Sequence, residues 1–456
     1  MPKGEGGKHP HRLRPRRLLL RMEAVLGEPI RVHHAMRARR ELFIRWIVMA
    51  ISVGIVTGGF VAGFDFLLRD KVVPILYELN NPWAYLLLPP LGLVFVHFVI
   101  KHLVPSQEGE LTEDYIYVYH ERDKHMNPWN LPGKMLASFI TLALGGSMGL
   151  EGPSIYFGAT VGDGLQQRFK KLFRREDLKL LLVAGAAAGM AAIFKTPLTG
   201  VVFAMEAPFT DTLASRALVP ALLSSCSSYL TFVLLVGSAP LFPHFQVLKM
   251  GPREMVMFLL LGLACGIGAR AFVWLTNYVK KLMSSLPSLA RAASSGLLLG
   301  GLGTLTYLIF HEPYIYGPGY RTIEHFLNGS EPLTLILFLL GAKMCATAFT
   351  VGGGGVGGMF FPMAVMGTIM GSGFAHFAPG NHAPLYAIVG LSAFVAAGYR
   401  TPLAAIAFVA ETTGNPWMLI PAMLASVVSY LSMGRHSISD NQRTLSSFSF
   451  GLSTPR

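Results

Sequence analysis

Residues 145–153, GGSMGLEGP, return 209 positions later as residues 354–362, GGVGGMFFP, and these two stretches decide the fold. In each, clustered glycines are followed by a proline. Glycine permits a tight turn and leaves backbone N–H groups uncovered, and proline suits the first turn of a helix because its missing N–H would be unpaired there anyway. Each stretch therefore predicts a helix that starts directly after a glycine turn.

The repeat extends well beyond these two stretches, which makes a bias toward Gly and Ala a poor explanation. The matched pairs, at an offset of 209 or 205, include Lys134 and Lys343, Thr141 and Thr350, Gly158 and Gly367, Gly185 and Gly390, Thr196 and Thr401, and Glu206 and Glu411. Residues 168–175, after the first stretch, carry five basic side chains, whereas residues 375–384, after the second, carry no Lys or Arg. Because basic loops stay in the cytoplasm, the two repeats should have opposite orientations.

The composition indicates a membrane protein. Of the 456 residues, 52% are hydrophobic and 14% are charged, against about 25% charge in soluble domains. Apolar blocks such as 46–64 and 256–278 are long enough to cross a bilayer, while shorter blocks such as 153–165 and 402–413 suggest helices that end inside it. We therefore expect an all-α multi-pass membrane protein, an inverted-topology repeat with discontinuous and tilted helices.

The net charge of +13 comes mostly from the N-terminal region. A basic flank before a first membrane helix fits a cytoplasmic N-terminus better than it fits nucleic-acid binding. We expect a basic cytoplasmic tail at 1–40, repeats at 41–240 and 241–436, and a short cytoplasmic tail at 437–456, with no C-terminal regulatory domain. The three cysteines have no metal-binding spacing, and neither a metal nor another cofactor is expected.

Two helix starts brought together by inverted symmetry would hold a small anion on backbone N–H groups and helix dipoles. Glu151, at the start of one of them, would be a tethered competitor for the anion, and hence a gate and proton carrier. The alternative is an acid that only stabilises the helix dipole. Lys134 and Lys343 would raise the local anion concentration, or else reach toward the membrane interface. Structural roles are favoured for Glu206 and Glu411.

Three other classes of function are less well supported. Residues 145–149 match the Gly-x-Ser-x-Gly pattern of hydrolases, but Val356 replaces Ser147 in the repeat, so an enzyme is not expected. A cation transporter would need paired carboxylates rather than helix N-termini and lysines. Another inverted-repeat solute transporter remains a remote alternative.

At these residues the sequence resembles the CLC family of chloride channels and chloride/proton antiporters. Residues 149–153, GLEGP, resemble its Gly-Arg-Glu-Gly-Pro signature, and residues 358–362, GMFFP, fit its Gly-x-Phe-x-Pro signature. The resemblance implies chloride as the substrate, a homodimer with one pore in each subunit, and Glu151 as the gating glutamate. The implied anion-binding residues are Gly149, Leu150, Glu151, Gly152, Met359, Phe360 and Phe361.

Four departures from the family pattern bear on mechanism. Leu150 replaces the family arginine before the gating glutamate, and Ala207 stands where many antiporters have an inner proton-handling glutamate. The family's inner serine has no secure counterpart, with Glu110 and Thr112 as candidates, and Ser439 replaces the inner tyrosine. These losses favour channel-like or weakly proton-coupled chloride permeation, with a chloride/proton antiporter as the alternative. The membrane expected is the cell (inner) membrane.

Overall fold

The computed structural model describes residues 46–105, 110–173, 179–242, 251–329, 331–378 and 382–444. Residues 49–456 form one compact unit, and residues 1–48 form another, of which only 46–48 are described. The predicted tail at 1–40 and the end of the predicted C-terminal tail therefore lie outside the described residues. The proposed boundaries of the two repeats stay predictions.

Sixteen helices and no β-strand are found in these ranges. Helices α1–α8 are Trp46–Glu78, Pro82–Leu103, Leu111–His120, Leu131–Ala143, Glu151–Arg168, Leu180–Phe194, Pro197–Glu206 and Leu218–Val236. Helices α9–α16 are Pro252–Ser284, Ser288–Phe310, Tyr320–Asn328, Leu333–Gly352, Phe360–Phe374, Ala383–Gly398, Pro402–Thr413 and Leu419–Met433. Eight of them, counted with their flanking 3₁₀ turns, are long and apolar enough to cross a bilayer: α1, α2, α8, α9, α10, α12, α13 and α16. The predicted all-α multi-pass membrane fold is confirmed.

Close glycine contacts explain why certain glycines recur in the two repeats. Helix α5 packs against α6, and α13 packs against α14. A Cβ atom on Gly158 would lie 2.0 Å from the carbonyl oxygen of Gly185, and one on Gly367 would lie 2.3 Å from that of Gly390. Such small residues let membrane helices approach backbone to backbone, so the same crossing is built twice.

The two halves hold each other through reciprocal hydrogen bonds between matched residues. The backbone N–H of Ser147 donates to Thr350 Oγ1 at 3.0 Å, and the N–H of Val356 donates to Thr141 Oγ1 at 3.1 Å. Ser147 corresponds to Val356, and Thr141 corresponds to Thr350, at the offset of 209. Such an exchange requires a two-fold relation between the halves, as the inverted repeat predicts.

Glu206 and Glu411 cap each other's neighbouring helices across the same two-fold relation. The Glu206 carboxylate accepts hydrogen bonds from the N–H groups of Leu403 and Ala404 at 3.2 and 2.9 Å. The Glu411 carboxylate accepts from Leu198 and Thr199 at 2.9 and 2.7 Å. Helices α7 and α15 both start within the apolar part of the chain, where unpaired N–H groups are costly. The structural role favoured for both acids is therefore the one seen.

We expect Thr350→Val to lower the free energy of unfolding by about 1–3 kcal/mol, because it leaves the buried Ser147 N–H without its side-chain acceptor. Thr141→Val should act in the same direction on the Val356 N–H. Thermal unfolding of the purified protein in detergent measures both. Thr231→Val is the matched control, since that hydroxyl donates only to a carbonyl one turn earlier in its own helix. Variants as stable as this control would contradict the reciprocal arrangement.

Candidate functional site

The two glycine turns face each other across the boundary between the halves. Gly149 and Gly358 exchange both backbone hydrogen bonds, each N–H lying 2.8 Å from the carbonyl oxygen of the other. Gly145 and Gly354 have φ angles of +90° and +86°, which strain any residue with a Cβ, so each turn depends on its glycine. Helices α5 and α13 begin just after these turns, and their N-termini therefore meet.

The carboxylate of Glu151 lies at the N-terminus of α13. Its side chain is fully buried, and Oε1 accepts a hydrogen bond from the Phe361 N–H at 3.2 Å. Oε2 is buried without a hydrogen-bond partner. The first N–H groups of a helix have no partner within it and carry the positive end of its dipole. The carboxylate therefore occupies a place that would stabilise a small anion; we call this place the Glu151 seat.

Glycines make the room for this carboxylate. A Cβ atom on Gly149 would lie 1.9 Å from Glu151 Oε2, and one on Gly358 would lie 2.1 Å from Glu151 Oε1. A Cβ atom on Gly152 would lie 2.6 Å from the backbone nitrogen of Gly358. Any larger residue at these positions would displace either the carboxylate or the opposing backbone.

Apolar side chains surround the seat, so the backbone supplies its hydrogen-bond donors. Leu150 and Met359, the residues just before α5 and α13, are 1% and 3% exposed. The ring centroids of Phe360 and Phe361 lie 5.6 and 5.5 Å from that of Phe194. Of the predicted anion-binding residues, the structure thus brings Gly149, Leu150, Glu151, Gly152, Met359, Phe360 and Phe361 to one place.

The two predicted lysines lie in different surroundings. The ammonium group of Lys134 pairs with Asp114 and lies 4.9 Å from the centroid of the Tyr156 ring. That of Lys343 is fully buried and donates to the carbonyl oxygens of Ile315 and Gly317, at 3.0 and 3.4 Å. Their contribution to the field at the seat stays a prediction.

A small cavity adjoins the glycine turns and contains two of the inner-gate candidates. It has a volume of about 10 Å³ and is lined by Glu110, Thr112, Glu113, Gly357, Met359, Tyr399 and Ile438. The Thr112 hydroxyl is buried without a well-formed hydrogen bond, and so is that of Ser439, the third candidate. The Tyr399 hydroxyl lies close enough to Thr112 for a weak polar contact. The tyrosine at this cavity is thus Tyr399, which the sequence reasoning missed.

A signal for Tyr399 was present in the repeat. The offset of 205 pairs Tyr399 with Phe194 and Arg400 with Lys195, and both Lys195 and Arg400 have a φ of 57°. The Phe360 ring centroid lies 6.4 Å from that of Tyr399 and 5.6 Å from that of Phe194. The two aromatic residues therefore flank Phe360 as counterparts.

A larger cavity of about 400 Å³ reaches residues Gly354–Gly357 from the same region. Its charged lining includes Glu110, which pairs with Lys280 at 2.6 Å, and Glu113, which accepts from Asn441 Nδ2 at 3.0 Å. Lys134 also lines it. The two cavities share Glu110, Glu113 and Gly357 as lining residues and are therefore neighbours.

Two further predicted positions have plain surroundings. Ala207 is buried, and its carbonyl oxygen accepts a hydrogen bond from Gln442 Nε2 at 2.8 Å. Its methyl side chain cannot accept a proton. The hydroxyl of Ser147 pairs with Thr347 Oγ1 at 3.0 Å. Ser147 thus serves the packing between the halves through both its hydroxyl and its N–H.

Comparison with protein families matches residues 92–434 to the family described as voltage gated chloride channel. A relative from Ralstonia nicotianae, a putative chloride channel protein ClcB-like, is 28% identical over 363 residues, or 77% of this chain and 82% of the relative. The voltage-gated ClC-type chloride channel ClcB of Escherichia coli O9:H4 is 28% identical over 408 residues, or 84% and 96%.

Two solved structures share the fold. A CLC-type fluoride/proton antiporter has a TM-score of 0.76 and 22% identity, covering 88% of this chain and 98% of that structure. A slow cyanobacterial chloride/proton antiporter also has a TM-score of 0.76, with 24% identity, covering 86% and 96%. The arrangement of helices around the glycine turns is therefore one that experimental structures contain.

A double-mutant cycle tests the position of the Glu151 carboxylate. Gly149→Ala should lower the free energy of unfolding by about 1–3 kcal/mol, because the three atoms nearest to the new methyl group, at 1.9–2.6 Å, all belong to this carboxylate. In a Glu151→Ala background that loss should largely vanish. Thermal unfolding in detergent measures all four proteins.

Gly358→Ala is the matched comparison, since its Cβ would also lie 2.5 Å from the Gly152 nitrogen and its loss should persist in the Glu151→Ala background. Gly341→Ala, with no atom within 4 Å of the new Cβ and a position inside helix α12, should cause no loss of stability. An equal loss for Gly149→Ala in both backgrounds would place the carboxylate elsewhere.

Proposed function

The chain belongs to the voltage-gated chloride channel (CLC) family, and from that premise we propose that it exchanges chloride for protons across the membrane, with Glu151 as gate and proton carrier. The family contains chloride channels and chloride/proton antiporters. The observation that carries the proposal is the Glu151 carboxylate on the Phe361 N–H, at the point where two helix N-termini meet.

Competition for one seat couples the two ions. Ionised Glu151 fills the seat with its own negative charge. Protonation removes that charge, so chloride can take the seat while the neutral side chain moves away with the proton. When chloride leaves, Glu151 releases its proton and returns. Chloride held by partial charges rather than by a full positive charge can leave again, which transport requires.

The small volume of the cavity beside the seat supports exchange of chloride for protons rather than free permeation of chloride. The sequence favours a channel because Ser439 and Ala207 stand in place of the family's inner tyrosine and inner acid. Tyr399 and Thr112 narrow the adjoining cavity to about 10 Å³. The Glu151 side chain, which fills the seat, is fully buried.

Glu113 offers a proton route through the cavities beside the seat. It belongs to α3, which is not one of the membrane-spanning helices, and it lines both cavities. Burial raises the pKa of the Glu113 carboxyl to about 7. An acid with a pKa near the ambient pH both takes up and releases protons readily, so we propose that Glu113 serves in place of the acid absent at Ala207.

The second candidate function is a chloride channel gated by Glu151. Ser439 and Ala207 favour it, because neither side chain supplies the family's inner constriction or proton acceptor. Both relatives described above are also named as chloride channels. The two candidates differ in one measurable property, which is whether a chloride gradient drives protons uphill.

The anion proposed is chloride. The names of both relatives mention chloride, whereas one of the similar structures is a fluoride/proton antiporter. Backbone N–H groups bind either ion, and the apolar rings around the seat favour neither by charge. Flux should therefore be measured with both anions.

We also propose a homodimer in a bacterial inner membrane, with the N-terminus in the cytoplasm. Helices α7 and α15 have ten and twelve residues and cannot cross a bilayer alone. At their starts Leu198 and Leu403 are 51% and 50% exposed beside the two capping carboxylates. A second subunit over this face would shield those carboxylates from lipid.

Glu151→Gln should reduce chloride-driven proton movement to background while chloride flux persists, because glutamine cannot carry a proton and brings no charge to the seat. The measurement uses proteoliposomes with a chloride gradient and simultaneous recording of external pH and chloride. Glu324→Gln, at an exposed position, should keep the wild-type ratio of protons to chloride.

Uphill proton movement by the wild type is required for exchange, and its absence alongside rapid chloride flux would favour the channel. Loss of chloride flux in well-folded Glu151→Gln protein would reject the role of Glu151 as a tethered competitor in both candidates.

Tyr399→Phe should weaken chloride binding about tenfold, because it removes a hydroxyl donor next to the seat. Isothermal titration calorimetry in detergent measures the dissociation constant. Tyr278→Phe, at a side chain 53% exposed, is the control. Unchanged binding in Tyr399→Phe together with weaker binding in Ser439→Ala would assign the inner contact to Ser439 instead.

A further inference from the structure

A π-helical turn interrupts α1 and brings charged residues into a candidate membrane-spanning helix: Arg69, Asp70 and Lys71 lie in the turn. Phe66–Val72 form seven residues of π-helix within the candidate membrane span Trp46–Glu78. Single π turns inside α-helices are rare and occur frequently at functional sites. Asp65 immediately precedes the turn and Arg69 lies within it. Charged side chains inside membrane segments are costly and are usually functional.

Asp65 and Arg69 form a loose ion pair. Arg69 Nε lies 3.8 Å from Asp65 Oδ2, and the two side chains are 30% and 2% exposed, respectively. Asp65 Oδ1 is buried without a hydrogen-bond partner. The guanidinium group has five N–H donors, and its 3.8 Å contact with Asp65 is longer than a hydrogen bond, so this partly exposed side chain keeps donors for a further partner.

Tyr320 connects Arg69 to the Glu151 seat. The Arg69 guanidinium carbon lies 5.5 Å from the centroid of the Tyr320 ring, and the Tyr320 hydroxyl is within hydrogen-bonding reach of the guanidinium. The Tyr320 ring centroid lies 4.3 Å from that of Phe361, whose N–H holds the Glu151 carboxylate. That carboxylate and Asp65 are both within electrostatic range of the Tyr320 hydroxyl.

A second cation lies on the same side of the seat. Lys195 interacts electrostatically with both Asp65 and Arg69, and its ammonium group donates to the carbonyl oxygen of Ala239 at 3.0 Å. The residue before it, Phe194, packs on Phe361 with 5.5 Å between ring centroids. Asp70, next to Arg69 in the π turn, also interacts electrostatically with both cations. An anion that approaches the seat from this side therefore meets Arg69 and Lys195 together with the acids Asp65 and Asp70.

We infer that Arg69, positioned by Asp65 and Tyr320, attracts the transported anion to the Glu151 seat and supplies the positive charge that is absent at Leu150. The inference rests on the proposed transport of anions. Because the ion pair is loose, an approaching anion replaces Asp65 as the partner of the guanidinium and then moves on to the seat. Asp65 thereby limits how tightly the anion is held before it reaches the gate.

A purely structural role for the pair makes a different prediction. If Arg69 only neutralised the buried Asp65, removal of both charges would restore wild-type behaviour. If Arg69 attracts anions, removal of Asp65 alone should strengthen anion capture, and removal of both should leave it weak.

The experiment measures the chloride dependence of flux in proteoliposomes for a set of variants checked for monodispersity. Arg69→Gln should raise the KM for chloride about tenfold and change the maximal rate less than twofold, and Arg69→Lys should fall between it and the wild type. Asp65→Asn should lower the KM. Leu150→Arg, added to Arg69→Gln, should bring the KM back toward the wild-type value.

Three outcomes would overturn the inference: an unchanged KM in folded Arg69→Gln, a wild-type KM in Asp65→Asn/Arg69→Gln, or an unchanged or raised KM in Asp65→Asn. The last needs only a conservative substitution, so the inference stays testable if Arg69→Gln fails to fold.

The result is separable from the proposed exchange mechanism. The KM for passive chloride flux is measured without a proton gradient, so it tests Arg69 even if chloride gradients fail to move protons uphill. Conversely, uphill proton movement with an unchanged KM in Arg69→Gln would reject only the role of Arg69.

Discussion

Helix N-termini that begin inside a membrane need partners for their N–H groups, and the rest of this structure depends on that constraint. Most of the need is met by exchange between the halves. Gly149 and Gly358 pair their backbones, Thr141 and Thr350 accept from the opposite turns, and Glu206 and Glu411 cap the opposite short helices. At the start of α13 the partner is Glu151, a side chain on a rotatable stem. The seat is therefore the point where a structural requirement is met by a group that can move.

Local chemistry was enough to predict much of the fold. The glycine turns and the constant offset fix where α5 and α13 begin, and the repeated glycines fall at the closest helix crossings. The apolar block at 46–64, in contrast, is shorter than the helix it belongs to. Helix α1 continues to Glu78 through the π turn, because Asp65 and Arg69 find partners in each other and in Tyr320. The hydrophobicity of a sequence segment cannot predict a contact with a residue as distant in sequence as Tyr320.

The sequence predicted the part of the site that the repeat symmetry determines. It did not predict the part that depends on single side chains. The meeting of Glu151 with the start of α13 follows from pairing the two turns. The inner side was sought in linear motifs around Glu110 and Ser439, whereas Tyr399 reaches the cavity from the turn between α14 and α15. Only the offset of 205, which pairs Tyr399 with Phe194, pointed to it. The ion-pair partner of Lys134, Asp114, lies in α3, and the carbonyl partners of Lys343 lie in the loop before α11, so both are outside the matched blocks.

The hydrogen bonds between the two halves also determine the order in which the fold can form during synthesis. Thr141 and Ser147 leave the ribosome about 200 residues before Val356 and Thr350, the residues they bond. At 5–20 residues per second, the first half waits roughly 10 to 40 s with its turn unmatched. During that interval the first turn lacks the partners that it has in the folded protein. Both turns reach their final hydrogen bonds only after the second half has been made.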